Sequence, residues 1–357
     1  MMSAQYPRRP WMLFGIGLLA VLAVASLGAV TGRTIIIQSN SAGDRVTLID
    51  PSTDTVVGEI TGIEVGHGVQ ASPDGSRIYV TNESLATLDV VDAPTLKIIK
   101  RIPLTGPPNN VAVRKDGQRV YAAITGNNGG VDIIDTQKLE KIKFIRVLGG
   151  VHNPIMTPDS KYVVAGSIPG ALATVIDTQL ERPVWSIHFN DGEGVRVFCF
   201  DWNPDGSTRR MFVQLSNVHG FAIVDWQKRA EVGRIMLPNI PEAERNKDGI
   251  QGAPAHGILV TPDGKQLWTT SKWNSRVYAY SMPDLKYLGE VKVGLVPDWI
   301  TFTPDSKKLY VANAHDNNVS VIDVAARKEI TKIKVGQIPK RNSTGIFPAI
   351  GTGTGTN

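Results

Sequence analysis

The stretch Ser72-Pro73-Asp74-Gly75-Ser76-Arg77-Ile78-Tyr79-Val80-Thr81-Asn82 decides the fold. Proline sets the first turn torsion, aspartate bonds back to its own main chain, and glycine takes the left-handed position that follows. A tight turn is thus placed directly before a β-favouring run at 78–82. The phrase returns as Arg114-Lys115-Asp116-Gly117, Thr157-Pro158-Asp159-Ser160, Asn203-Pro204-Asp205-Gly206, Thr261-Pro262-Asp263-Gly264 and Thr303-Pro304-Asp305-Ser306. Between second positions the steps are 42, 43, 46, 58 and 42 residues. Each turn leads into a strand, then a polar loop, then a second strand that usually ends in an acid, such as Asp50, Asp92, Asp135 or Asp323. A third apolar strand follows, as at 98–102 and 329–333. Four short strands in each period, without an amphipathic helix between them, are the pattern of propeller blades.

Six such units begin near residues 67, 109, 152, 195, 256 and 298. Residues 35–60 supply only the last three strands of another blade. Its innermost strand is expected at the far end, because Val335-Gly336-Gln337-Ile338-Pro339-Lys340 matches Val293-Gly294-Leu295-Val296-Pro297-Asp298, which opens the preceding blade. The expectation is an all-β, seven-bladed β-propeller of four-stranded antiparallel blades, the first blade completed by the C-terminal strand. Such closure removes exposed sheet edges. The organisation that follows is a leader at 1–33, a propeller at 34–348 and a flexible tail at 349–357.

Tyr79-Val80-Thr81-Asn82, with its near copy Tyr310-Val311-Ala312-Asn313, resembles the YVTN family of β-propeller repeats, over roughly residues 35 to 345. The resemblance implies an exported propeller, similar in architecture to the haem-d1 propeller of cytochrome nitrite reductases and to that of nitrous oxide reductase. A shared fold does not transmit a function, so the site has to be argued from its own residues.

The chain has 357 residues, 42% of them hydrophobic and 20% charged, the balance of a folded globular protein. Its net charge of +5 falls to +3 without Arg8 and Arg9 and is scattered, which argues against nucleic-acid binding. The single cysteine, Cys199, rules out an internal disulfide and a cysteine-built metal centre; in its apolar strand it reads as a small core residue. Residues 11–30 form an uncharged apolar run behind Arg8 and Arg9. The run reads either as a membrane anchor or as a signal peptide cleaved after Ala25, and both place the propeller outside the cytoplasm, in the periplasm or beyond the cell. Contact with a membrane is expected only through this segment, and the ring is expected to be monomeric.

Strand alternation puts the start of each innermost strand and the loop between the second and third strands at the same end of the ring. Six residues before the second turn position stand His67, Asn109, His152, Phe198, His256 and Asp298, with Lys340 at the matching place in the shared blade. Six of these seven are polar and three are histidines. His219 and His315, in second-to-third-strand loops, and His188, closing an outer strand, map to the same end. Three readings fit. The histidines pack blades together, as the Gly-His pair does in WD-type repeats. Or His67, Asn109, His152, His256, Asp298 and Lys340 frame a pocket for a small ligand, cofactor or protein partner. Or His67, His152 and His256 are ligands of copper, iron or a haem-type group in a redox or cofactor-handling protein. Imidazoles do not suit calcium, and there is neither a Cys-x-x-Cys-His nor a Gly-x-Ser-x-Gly motif. The longest step contains an insertion at 237–254 that overhangs the histidine end, either as a lid or partner contact or as a solvated loop. Lys272-Trp273-Asn274 lies at that end too, either stacking on a ligand or capping its own blade.

Overall fold

The computed structural model describes residues 1–2 and 32–355. The leader expected over 11–30, with its cleavage point, lies outside the described residues; among these, no helix is long and apolar enough to cross a membrane.

Seven antiparallel sheets surround one axis. Blade 1 is built from both ends of the chain: Pro339–Phe347 is its innermost strand, followed outward by Arg33–Asn40, Arg45–Asp50 and Thr55–Thr61. The closing register pairs Arg33 with Phe347 and Ile37 with Ser343. Blades 2 to 7 begin with the innermost strands Gly66–Ala71, Pro108–Val113, Asn153–Met156, Val195–Trp202, Ala255–Val260 and Pro297–Phe302, each leading outward through three more strands. Neighbouring innermost strands touch in order around a closed ring.

The repeated phrase makes the turns its chemistry requires. Ser72 Oγ donates to Asp74 Oδ1 at 2.5 Å, the Ser76 amide donates to the same oxygen at 3.0 Å, and Gly75 takes φ +68°. The core sits between blades rather than within any one of them. Tyr79 packs with Val111, Val120 and Ala122 of the next blade, and Phe347 joins Ile35, Leu48, Val69 and Ile78 across the closure. Each interface is therefore a separate apolar cluster made by alternate residues of facing sheets.

In the tail, Gly353–Gly355 runs parallel to Thr55–Thr61 as a fifth, outermost strand of blade 1, taking up the free hydrogen-bonding edge.

Candidate functional site

Where the innermost strand starts, the ladder breaks in six of the seven blades. In blade 2 the register jumps from Gly66↔Asn82 to Val69↔Val80, leaving His67 and Gly68 as a bulge. Blade 3 does the same at Asn109 and Asn110, blade 5 at Arg196 and Val197, blade 6 at His256 and Gly257, and blade 7 at Asp298 and Trp299. In the closing blade Lys340 and Arg341 lie in the irregular stretch between Pro339 and Asn342. His152 precedes its strand, its amide donating to Gly166 O at 2.8 Å. A bulge sets two consecutive residues where regular alternation would turn one away, so six of the seven blades offer such a pair at this end, while the ladder of blade 4 is regular. Small residues in these pairs let blades meet: a Cβ on Gly257 would come within 2.9 Å of Asp298 O, and one on Gly68 within 2.7 Å of the Asn110 Cα.

Blade 5 corrects the sequence reading. Its innermost strand carries a second irregularity between Asp201 and Trp202, which lengthens it to 8 residues. Counting back from the turn therefore lands on Phe198, which is buried in the core between blades 4 and 5. The residue equivalent to His67 is Arg196.

The polar groups converge on Asp298. This carboxylate is buried, with Lys272 Nζ 2.8 Å from Oδ2, His256 Nδ1 2.9 Å from Oδ1, and Lys340 Nζ 3.5 Å from Oδ2. Burial alone raises an acid's pKa, but His256, Lys272 and Lys340 outweigh it and hold this carboxyl well below the usual range. Arg341 lies against it, Nη1 3.9 Å from Oδ1, and stacks its guanidinium on Trp299 at 4.1 Å from the ring centroid. Arg341 Nη2 donates to Asn109 Oδ1 at 2.8 Å, while its Nε and Nη1 have no hydrogen-bond acceptor although the side chain is only 2% exposed. Burial pushes this guanidinium down to about 10, so it stays charged at neutral pH. Arg196 completes the set, within electrostatic reach of Asp298.

The imidazoles sit in this field as neutral rings. His67 Nδ1 lies 3.0 Å from Glu83 Oε2, His152 Nδ1 lies 3.2 Å from Arg196 O, and His256 Nδ1 lies 3.0 Å from Asp298 O. Two of these contacts cross between blades, so the packing role is real. Burial lowers all three pKa values, His256 to about 3, and the charge of Arg341 pushes each of them further down. His152 and His256 meet edge to face with centroids 5.9 Å apart. Among the described residues no three His, Cys, Asp or Glu side chains are grouped to hold a metal ion.

The insertion at 237–254 covers this end. The Asn246 amide donates to Trp273 O at 2.8 Å, and its side chain donates to Lys272 O at 2.6 Å and to Ser275 Oγ at 2.8 Å. Arg245 stacks over Trp273 at 4.9 Å, so this tryptophan holds the loop. His219 is likewise committed, to Ser271 Oγ at 2.8 Å and Asn239 Oδ1 at 3.3 Å, and burial lowers its pKa to about 4. Gln251 reaches two members of the ring. Its main-chain oxygen accepts from Arg196 Nη2 at 2.6 Å, and its Oε1 accepts from Lys340 Nζ at 3.2 Å. Gly249 rests against His315. His188 is exposed at the end of its outer strand and takes no part. Cys199 is a buried core thiol whose pKa burial pushes well up.

Sequence reasoning placed His67, Asn109, His152, His256, Asp298 and Lys340 at this end, and the structure brings all six there. It missed Arg196, Arg341, Trp299 and Glu83, and it placed Lys272 at this end without its contact to Asp298. Counting forward from the Gly, Pro, Val or Ala at the head of each innermost segment (Gly66, Pro108, Val151, Val195, Ala255, Pro297, Pro339) reaches Arg196 directly. Arg341 and Trp299 then follow as the second residues of their pairs.

Fold and site together define a seven-bladed propeller whose axis is closed at one end by a cationic, imidazole-bearing cluster under a loop. No protein-family model and no curated protein matches the chain. Among solved structures it is similar to the hydrazine synthase of Kuenenia stuttgartiensis, with 24% identity and TM-score 0.70 over 81% of this chain and 92% of that one. It is also similar to the periplasmic gluconolactonase of Pseudomonas aeruginosa, with 16% identity and TM-score 0.71 over 88% of this chain and 100% of that one. A third is dihydro-haem d1 dehydrogenase NirN in complex with DHE, with 16% identity and TM-score 0.62 over 86% of this chain and 74% of that one. At these identities the likeness establishes the fold.

Proposed function

We propose that the protein is an extracytoplasmic binding module that captures a small anion at the cluster around Asp298, beneath the 237–254 loop. Arg341 carries the reading: a buried, charged guanidinium with two donor nitrogens lacking acceptors is costly unless something fills them. Charge supports it, since among the described residues the acids facing Arg196, Lys272, Lys340 and Arg341 are Asp298 and, at the rim, Glu83. The oxygens of Gln251 already sit on Arg196 and Lys340 as the oxygens of an acid would, and the ligand is expected to displace them. The apolar run behind Arg8 and Arg9 supports export. The ring acts as a monomer and has no nucleic-acid partner.

A metal or haem-type cofactor is the weaker reading. The imidazoles do not gather on one point, the edge-to-face contact of His152 with His256 leaves no slot between them for a macrocycle, and a metal cation would add to an existing positive excess.

Thermal unfolding of the purified full chain with increasing sulfate, phosphate or carboxylates tests the proposal. Binding to the folded state alone raises stability by about 2.7 kcal/mol at a hundredfold excess over Kd. The rise is expected in the parent and absent in Arg341→Met. Elemental analysis and an absorption spectrum supply the opposing outcome: a stoichiometric metal lost in His67→Ala, His152→Ala and His256→Ala alike overturns the anion reading.

A further inference from the structure

We infer that the anion is a hydroxy-carboxylate, an acid group with hydroxyl donors on neighbouring carbons; this rests on the anion reading above. The argument comes from which nitrogen of each imidazole holds the proton. Glu83 Oε2 can only accept from His67 Nδ1, and Asp298 O and Oδ1 can only accept from His256 Nδ1. Each Nδ1 is therefore the N–H, and in a neutral ring Nε2 is then a lone pair. His152 does not decide the matter, because its Nδ1 faces both the Arg196 carbonyl and, at 2.6 Å, the Asn153 amide.

Two kinds of group are thus offered together. Arg341 Nε and Nη1 need acceptors. No hydrogen bond engages the Nε2 lone pairs of His67 and His256 among the described residues, and those atoms call for donors. Arg341 Nη1 and His256 Nδ1 lie 3.9 and 2.9 Å from the same Asp298 oxygen, and the charge of Arg341 bears on both rings, so the two demands belong to one cluster. Sulfate or a plain carboxylate satisfies the cations and offers nothing to the imidazoles. An uncharged polyol does the reverse. A carboxylate flanked by hydroxyls satisfies both, its acid group on Arg341 with Lys340 or Arg196 and its O–H groups on Nε2.

Calorimetric titration of the full chain with matched pairs, glycerate against propionate and gluconate against hexanoate, tests this, with sulfate as the bare anion and glycerol as the uncharged polyol. The expected result is at least a tenfold preference for the hydroxylated acid in one pair, reduced several-fold in His67→Phe or His256→Phe, while glycerol does not bind. Nitrogen-15 spectra of histidine-labelled protein are expected to show Nδ1–H rings for both residues, which reports the tautomer even where a variant folds poorly. Equal affinities within both pairs, a preference untouched by both substitutions, or an Nε2–H tautomer overturns the inference and leaves the anion reading standing. Failure of every acid and of sulfate to bind overturns both.

Discussion

Toward the turns, the innermost strands, that of blade 5 excepted, keep regular antiparallel register, Val69 facing Val80 and Ile300 facing Val311. They enclose a cavity of ≈ 790 Å³ walled by residues such as Ile155, Val197, Leu259, Trp299 and Thr344, with Lys115 as the one charged residue among its lining. At the other end all of these strands but that of blade 4 bulge, and four cations, three imidazoles and a buried acid crowd the axis. Both ends are built from the same seven repeats. Regular pairing alternates side chains and yields packing, whereas a bulge suspends the alternation and aims consecutive side chains at one point. The two ends rest on different features of one framework and can be perturbed separately.

The framework should show the largest loss. Phe347 is fully buried between blades 1 and 2 on the strand that closes the ring. Phe347→Ala is expected to cost about 3–5 kcal/mol, read from denaturant unfolding, with ligand affinity unchanged in the folded fraction. A loss under 1 kcal/mol would mean that the closure contributes little.

Within the cluster, Asp298→Asn should come next, at up to about 3–5 kcal/mol, because it strands buried Lys272 without its partner. Since the folded-state pKa of Asp298 is depressed, its contribution is intact above about pH 4 and is lost as pH falls through the lower folded value. Histidines act in a different window. His219 is neutral when folded, with a pKa of about 4, yet protonates near 6.5 when unfolded. The unfolded chain therefore binds the extra proton, and stability falls as pH drops from about 6.5 towards 4. His219→Gln should flatten this slope by up to about 1.4 kcal/mol per pH unit; an unchanged slope would mean the ring is not buried neutral.

Arg341→Met separates binding from stability. Removing a buried cation with unfilled donors, while keeping an apolar stem on Trp299, is expected to change stability by no more than about 1 kcal/mol in either direction. Anion binding should nevertheless disappear. If stability falls by several kcal/mol instead, the guanidinium is a structural brace.

How much of this could be read from the chain follows the same division. The turns, blade count and shared blade were legible because Pro, Asp and Gly act locally and because the repeat multiplies the signal. The site was legible where the repeat was regular, at His67, Asn109, His152, His256 and Asp298. Arg196 was hidden from a count back from the turn by the extra irregularity at Asp201 and Trp202, whereas a count forward from Val195 reaches it. Lys272 reaches Asp298 from a neighbouring blade's loop, a contact that depends on side-chain reach across an interface. Gln251 was invisible for the same reason, its role arising only when an insertion folds back over the ring.

The smallest effect expected lies at the turn end and concerns backbone alone. Gly75, Gly117, Gly206 and Gly264 occupy the fourth turn position with φ between +68° and +82°, whereas Ser160 and Ser306 are held there at +57° and +61°. A left-handed conformation costs a residue bearing a Cβ about 1–2 kcal/mol, against about 0.5–1 kcal/mol of added chain entropy for glycine. Ser160 Oγ has no hydrogen-bond partner, so Ser160→Gly should stabilise by about 0.5 kcal/mol. Ser306 Oγ accepts from the Asp263 amide at 3.0 Å, tying blade 6 to blade 7, and Ser306→Gly gives up that bond. The two substitutions, identical in chemistry, are therefore expected to move the denaturation midpoint differently, Ser160→Gly upward and Ser306→Gly not at all or downward. Equal upward shifts would show that torsion alone governs these turns and that the bond between the blades adds nothing.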